Sequence, residues 1–319
     1  MSSSQPLRGV VPPVCTPLDA AGEVDTASLT RLVEHLVAGG VHGLFALGSS
    51  SEVAFLTDRQ RAVALETVIE AAAGRVPVLA GVIDMTTPRM LVHAEAARKA
   101  GADALVATAP FYARTHPVEI TRHFRILRER GDLPLYAYDL PVCVHSKLSV
   151  AMVRELAEDG TLTGLKDSSG DEGGLRRLIV ELGGRDGRTA GPAPSFSILT
   201  GSELTVDAAL LAGADGVVPG LGNVDPAGYV RLYEAMREGD LKRAVEEQER
   251  LVQLFGMVDA GPEGEMGRNS SAMGAFKHAL RLLGVVTAGT TAGSQIQLDE
   301  AAIAHVERHL RDAGLLPVR

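Results

Sequence analysis

Three short stretches of this 319-residue chain carry residue types able to do chemistry together. The first is Gly164-Leu165-Lys166-Asp167-Ser168-Ser169-Gly170, where a lysine closes an apolar run. Lysine is almost never fully buried without a reason. Desolvation disfavours an ammonium, and the neutral amine it leaves can attack a carbonyl. Lys166 therefore reads in two ways, as a nucleophile or as a surface lysine just past a strand, paired with Asp167. The second stretch is Gly48-Ser49-Ser50-Ser51-Glu52, which gathers three hydroxyls and several backbone N–H groups. Such a loop suits a carboxylate or phosphate, or it is a serine-rich turn satisfying its own backbone. The third is Tyr136-Ala137-Tyr138-Asp139-Leu140-Pro141. Strand alternation puts Tyr136 and Tyr138 on one face and Ala137 and Asp139 on the other. A tyrosine there either relays protons or packs.

Lesser candidates accompany these. Tyr112, in Pro110-Phe111-Tyr112-Ala113-Arg114, could line a pocket or sit at a subunit contact. Pro219-Gly220-Leu221-Gly222-Asn223 leaves room for a ligand against the backbone, or is plain turn chemistry. Cys143 and His145 have no Asp or His spaced to complete a recognisable triad.

The elements that would position these residues alternate along the chain. Strands are expected at 9–16, 41–46, 77–81, 104–108, 134–139, 162–166, 197–200 and 216–219. Helices are expected at 26–38, 57–73, 88–100, 117–130, 150–158, 175–182, 204–211 and 226–238. Asp25 is placed to cap the first helix. Thr57 and Gln60 make a capping box for the second, and Pro117 opens the fourth. Eight strand–helix pairs in a row imply a parallel sheet, and over roughly 230 residues they match a closed (β/α)8 TIM barrel. The alternative is a doubly wound open sheet. It usually has fewer strands, and the G-x-G-x-x-G turn of a Rossmann sheet does not follow the first strand.

A weak internal repeat supports the count. Ala38-Gly39-Gly40-Val41, Ala100-Gly101-Ala102-Asp103 and Ala212-Gly213-Ala214-Asp215 each end a helix and lead into a strand. Glycine suits the left-handed position after a helix. The spacings from Gly40 to Gly101 and from Gly101 to Gly213 amount to two and four units of about 30 residues, as βα units require. Beyond Gly239 the rhythm becomes helical, at 241–256, 271–283 and 300–312, with a Gly- and charge-rich loop at 259–269. Residues 1–239 are thus expected to form the barrel and 240–319 a helical extension packed on it.

Bulk properties narrow the partners. The net charge is −9, which argues against nucleic acid or an anionic membrane surface. It leaves room for a small anionic substrate in a locally positive pocket. Tryptophan is absent and aromatics make up 4%, so the core is built from aliphatic residues, as in many parallel α/β proteins. Cys15 and Cys143 show no metal-site spacing, and a single disulfide between them stays open. The polar segment 1–5 lacks the apolar core of a signal peptide, and no apolar run reaches membrane-spanning length. The expected location is cytoplasmic.

Taken together, in this order, the motifs resemble the dihydrodipicolinate synthase / N-acetylneuraminate lyase family of class I aldolases, over about residues 8 to 285. Gly48-Ser49-Ser50-Ser51-Glu52 looks like the family's G-[ST]-[ST]-G-E loop. Tyr138-Asp139-Leu140-Pro141 looks like its Y-N-x-P, and Gly164-Leu165-Lys166-Asp167 like its G-[IV]-K-[DE]. The resemblance implies that Lys166 forms a Schiff base with a small 2-oxo acid such as pyruvate. It implies that Tyr138 shuttles protons, with Ser50 and Tyr112 as further relay members, Tyr112 often from a neighbouring subunit. Gly48, Ser49, Ser50 and Val218 form the implied substrate-binding set. No metal or organic cofactor is implied, and a homodimer or homotetramer is.

Three departures stand out. Ser51 replaces the loop's second glycine, which matters if that position needs a positive φ. Asp139 replaces the common Asn. Cys143 stands where the synthase branch usually carries an arginine gripping its second substrate's carboxylate, a bidentate pairing no thiol can make. Aldol cleavage of a sugar-derived 2-oxo acid, of the 2-keto-3-deoxygluconate kind, is therefore favoured. A 4-hydroxy-tetrahydrodipicolinate synthase, sialic acid cleavage, a keto-deoxy sugar acid dehydratase and a non-catalytic 2-oxo acid-binding barrel remain as alternatives.

Overall fold

The computed structural model describes residues 6–184, 191, 193–262 and 264–317. The polar segment 1–5 lies outside them. Eight strands form one parallel sheet: β1 (Gly9–Val10), β2 (Leu44–Ala46), β3 (Val78–Gly81), β4 (Ala104–Thr108), β5 (Leu135–Asp139), β6 (Gly164–Asp167), β7 (Ser197–Thr200) and β8 (Gly216–Val217). Each strand from β2 to β8 pairs with the next, and β1 pairs with β8. The seam between β1 and β2 is closed just past β1, where Pro13 bridges Phe45. There the Val14 N–H donates to Phe45 O at 2.9 Å, and the Phe45 N–H to Pro12 O at 3.0 Å. The sheet is thus a closed barrel, as the eightfold alternation implies.

Around it run α1 (Thr26–Ala38), α2 (Asp58–Ala72), α3 (Thr87–Ala100), α4 (Pro117–Gly131), a short α5 (Pro141–Val144), α6 (Val150–Glu158), α7 (Glu172–Glu181), α8 (Val206–Ala212) and α9 (Pro226–Glu238). Local chemistry explains their starts. Asp25 accepts the Ser28 N–H at 2.9 Å. Thr57 and Gln60 satisfy each other's backbone N–H as the capping box requires. Gly101 (φ 91°) and Gly213 (φ 110°) end their helices in the left-handed region. In the first copy of the repeat Gly39 is still right-handed and the turn falls to Gly40 (φ 83°).

The sequence overextends the strands at the rim. The first is two residues long rather than eight, and β6 starts at Gly164 and reaches Asp167. Prolines at 12 and 13 deny the ladder its N–H donors, which shortens β1. The helix α5 and the tight 3-10 turns at 49–51 and 53–55 were not anticipated; turns so short leave no periodic signature.

Two apolar layers result. Inside the barrel lie Val11, Phe45, Leu79, Val106, Tyr136, Tyr138, Leu199 and Val218. Between strands and helices lies a larger aliphatic layer. It runs on into the C-terminal helices α10 (Leu241–Phe255), α11 (Arg268–Leu282) and α12 (Glu300–Asp312) through Leu251, Leu254, Phe276, Leu280, Val306 and Leu310. No helix among the described residues is long and apolar enough to cross a membrane.

Candidate active site

Strand register brings the two central residues together. Tyr138 on β5 lies opposite Lys166 on β6, which lies opposite Leu199 on β7. All three side chains project to the barrel interior, because residues in register share a face. Lys166 is only 6% exposed. Its Nζ sits 4.0 Å from the centroid of the Tyr138 ring and 4.9 Å from that of Phe45. These two rings meet edge to face at 6.2 Å. The reading of Lys166 as a surface lysine paired with Asp167 is thereby excluded. Alternation turns Asp167 outward, where its carboxylate accepts the Ser169 N–H at 2.8 Å.

The serine loop lies over the same end of the barrel. Ser49 Oγ is 3.3 Å from the Tyr138 hydroxyl oxygen. Gly48 is packed so tightly that a Cβ there would fall 2.6 Å from the Phe45 ring. The Ser51 departure costs the loop nothing, since its φ is not positive. Its hydroxyl instead donates to Val14 O at 2.5 Å and accepts the Gly48 N–H at 3.1 Å. Left-handed geometry falls on Leu47 (φ 59°) and Glu52 (φ 58°). Thr16 adds a bond from its hydroxyl to Ser51 O at 2.9 Å. Ser51 is thus a buried strut, while Ser49 and Ser50 remain half-exposed.

After β8 the backbone approaches Ser50. A Cβ on Gly220 would meet Phe276 at 2.9 Å, Ser50 Oγ at 3.3 Å and Glu203 Oε2 at 3.4 Å. Asn223 is fully buried and ties this turn to the first strand segment, donating to Pro13 O and Gly220 O at 2.8 Å each. Val218 is buried in the same interior layer as Tyr138.

Glu203, in the loop after β7, is a site residue the sequence reading missed. It accepts the Leu221 N–H at 2.6 Å and the Tyr229 hydroxyl at 3.4 Å. Burial pushes its carboxyl up to about 7, against the pull of the Leu221 N–H, the Lys166 charge and the Tyr229 hydroxyl. The rule that barrel chemistry sits in loops after strands covers its position without singling it out. It stands three residues past Thr200, the last residue of β7.

Four candidates stand elsewhere or apart. Tyr112 is 93% exposed in the loop after β4, with φ 74°, and does not join Lys166 within the chain. Cys143 is an exposed free thiol on α5, and Cys15 a buried free one, so no disulfide links them. Asp139 points out of the barrel, accepts the Leu148 N–H at 3.2 Å and pairs with Lys147. His145 caps α5 in the left-handed region. Among the described residues no group of three or more His, Cys, Asp or Glu converges to hold a metal ion.

An amine, a phenol and a hydroxyl-rich loop around one small space can condense with a carbonyl, hold its carboxylate and move its protons. Comparison with known proteins shows the family. Residues 6–306 match the dihydrodipicolinate synthetase family. The chain is 34% identical to an uncharacterised DapA-like lyase of Halobacterium salinarum, over 97% of this chain and 95% of that one. It is 31% identical to a 4-hydroxy-tetrahydrodipicolinate synthase of Methanoculleus marisnigri, over 96% and 99%. Among solved structures it resembles YagE of Escherichia coli in complex with pyruvate, with TM-score 0.87 and 28% identity over 97% and 99% of the two chains. YagE carries the provisional name 2-dehydro-3-deoxy-D-gluconate aldolase. The dihydrodipicolinate synthase of Bacteroides thetaiotaomicron is similar, with TM-score 0.88 and 30% identity over 97% and 99%. The chain belongs to the dihydrodipicolinate synthetase family of lyases.

Proposed function

We propose that the chain is a Schiff-base-forming aldolase that cleaves or forms a C–C bond between pyruvate and an aldehyde, acting on a sugar-derived 2-oxo acid. The observation that carries this reading is the Lys166 amine held 4.0 Å from the Tyr138 ring, inside the barrel. Ser49 stands within 3.3 Å of that tyrosine's hydroxyl.

Lys166 attacks the C2 ketone, and Tyr138 delivers the proton that lets the former ketone oxygen leave as water. The protonated imine then accepts the electron pair of the C3–C4 bond as a base removes the proton of the C4 hydroxyl. An aldehyde departs and an enamine remains on Lys166. Protonation at C3 and hydrolysis release pyruvate. Ser49, Ser50 and the Gly48 turn hold the substrate carboxylate, Val218 packs against the substrate, and Ser50 and Tyr112 extend the proton relay. Tyr112 does this from a neighbouring subunit of a homodimer or homotetramer; its 93% exposure favours such a contact. No cofactor is needed for these steps. Residues 1–239 form the catalytic barrel with 240–319 as its appendage, and the enzyme works in the cytoplasm.

Substrate class rests on the mouth of the site. Glu203, which lies beside Gly220 together with the Ser50 hydroxyl, offers hydrogen-bonding groups to sugar hydroxyls there. Cys143 supplies no charge for a second carboxylate, which disfavours the synthase reading despite relatives bearing that name. Borohydride reduction with pyruvate, followed by peptide mapping, is expected to label Lys166. Absence of any adduct would favour a non-catalytic binding role. Pyruvate release from a panel of sugar-derived 2-oxo acids identifies the aldolase, and water loss without pyruvate a dehydratase. Turnover of pyruvate with aspartate semialdehyde would overturn the assignment in favour of the synthase.

A further inference from the structure

The carboxylate of Glu52 reaches out of the serine loop to residues more than two hundred positions away. Its Oε1 accepts the Ala292 N–H at 2.7 Å and the Gln295 side-chain amide at 2.5 Å. Its Oε2 pairs with the Lys277 ammonium, and both side chains are almost wholly buried. Lys277 also donates to Thr290 O at 2.8 Å. Glu52 itself is held left-handed between two 3-10 turns, its N–H donating to Ser49 O at 2.9 Å. Phe276, the neighbour of Lys277 on α11, closes on Gly220 beside Ser50.

A buried carboxylate two residues from Ser50 is a poor neighbour for an anionic ligand. In a low-dielectric setting like charges repel strongly and an uncompensated one is costly. Lys277 removes that repulsion and fixes the loop to the C-terminal helices in one contact. We propose that Lys277 and Glu52 are positioning residues through which the C-terminal helices set the affinity of the serine loop for the 2-oxo acid carboxylate. The inference rests on the assignment of that loop to the carboxylate under the proposed function.

The test compares an anionic ligand with a neutral one in the full-length protein. Borohydride trapping on Lys166 is titrated with pyruvate and with hydroxyacetone, a ketone lacking the carboxylate, in the native chain, Lys277→Met and Glu52→Gln. In Lys277→Met the half-saturating pyruvate is expected to rise at least about tenfold while that of hydroxyacetone stays within about twofold. Glu52→Gln keeps an acceptor for Ala292 and Gln295 and leaves the ammonium. Its half-saturating pyruvate is expected to stay at or below the native value. If Lys277→Met does not fold, Glu52→Gln carries the test alone, and a rise above about threefold in its half-saturating pyruvate overturns the proposal. Equal weakening for both ligands, or by both variants, reduces the pair to a structural brace and also overturns it. Normal trapping in the native chain with unchanged half-saturation in Lys277→Met sinks this inference alone. No trapping in the native chain removes the functional reading and this inference with it.

Discussion

Lys166 Nζ stands over the face of the Tyr138 ring, 4.0 Å from its centroid, because the two residues are register partners on adjacent parallel strands. Nothing flexible separates them: both side chains leave strand backbone inside the barrel. Replacing Lys166 by Ala therefore removes the proposed nucleophile without removing a hydrogen-bonded tie. Turnover is expected to fall at least about a thousandfold, with the melting temperature near the native value. Steady-state rates and thermal unfolding check this, and retained activity would remove the Schiff-base mechanism.

Tyr138→Phe keeps the ring under the amine and deletes the proposed proton carrier and its contact with Ser49. General acid–base groups contribute about a hundredfold to ten-thousandfold, and a loss in that range is expected in kcat rather than KM. Borohydride trapping of a slowly formed adduct would separate this from a loss of Lys166 reactivity. A kcat within about threefold of native would exclude Tyr138 from the relay.

Glu203 gives the site a pH signature. Burial disfavours the anion and pushes its carboxyl up to about 7. The folded chain therefore holds this proton over a range where the unfolded chain has lost it. Such a group lowers stability progressively as pH rises from the ordinary carboxylate range through about 7. Glu203→Gln is expected to gain in melting temperature over the native chain between pH 5 and 8. It should also lose the inflection near pH 7 expected in KM for a hydroxylated 2-oxo acid. A pH-independent difference between the two proteins would contradict the assignment.

Tyr112 is solvent-exposed on a single chain, so the relay role proposed for it requires a second subunit. Mixing inactive Lys166→Ala subunits with weakly active Tyr112→Phe subunits should restore about a quarter of native activity in a dimer, since half the assemblies then own one intact site. Mixtures no more active than their parents would show that Tyr112 does not act across subunits.

Much of this is readable in the amino-acid sequence alone. Eight alternating pairs and the Ala-Gly helix ends dictate a barrel, and the strand-end rule isolates Lys166, Tyr138 and the serine loop. The residues that escaped detection lack a local signal. Glu203 sits in an ordinary-looking Gly-Ser-Glu turn, and only the Gly220 backbone and Ser50 beside it make it part of the site. Lys277 lies mid-helix in a segment read as an appendage, and its partner Glu52 is 225 positions earlier. Pairing at that separation is created by tertiary closure and leaves no periodicity to read. The strands came out too long for a related reason. Hydrophobic runs mark what is buried, whereas ladder ends are set by prolines and by loops turning over the rim.

The seam joining the first strand to the last has a temporal meaning. Gly9 pairs with Gly216, and the Gly48–Glu52 loop finds its final anchor only at residues 277, 292 and 295. During synthesis the first junction waits for residue 216 and the second for residue 295. Contacts spanning so much chain form late and slowly. A growing chain thus holds Lys166 before the Gly48–Glu52 loop is fixed, and that loop is fixed only after residue 295 has been made.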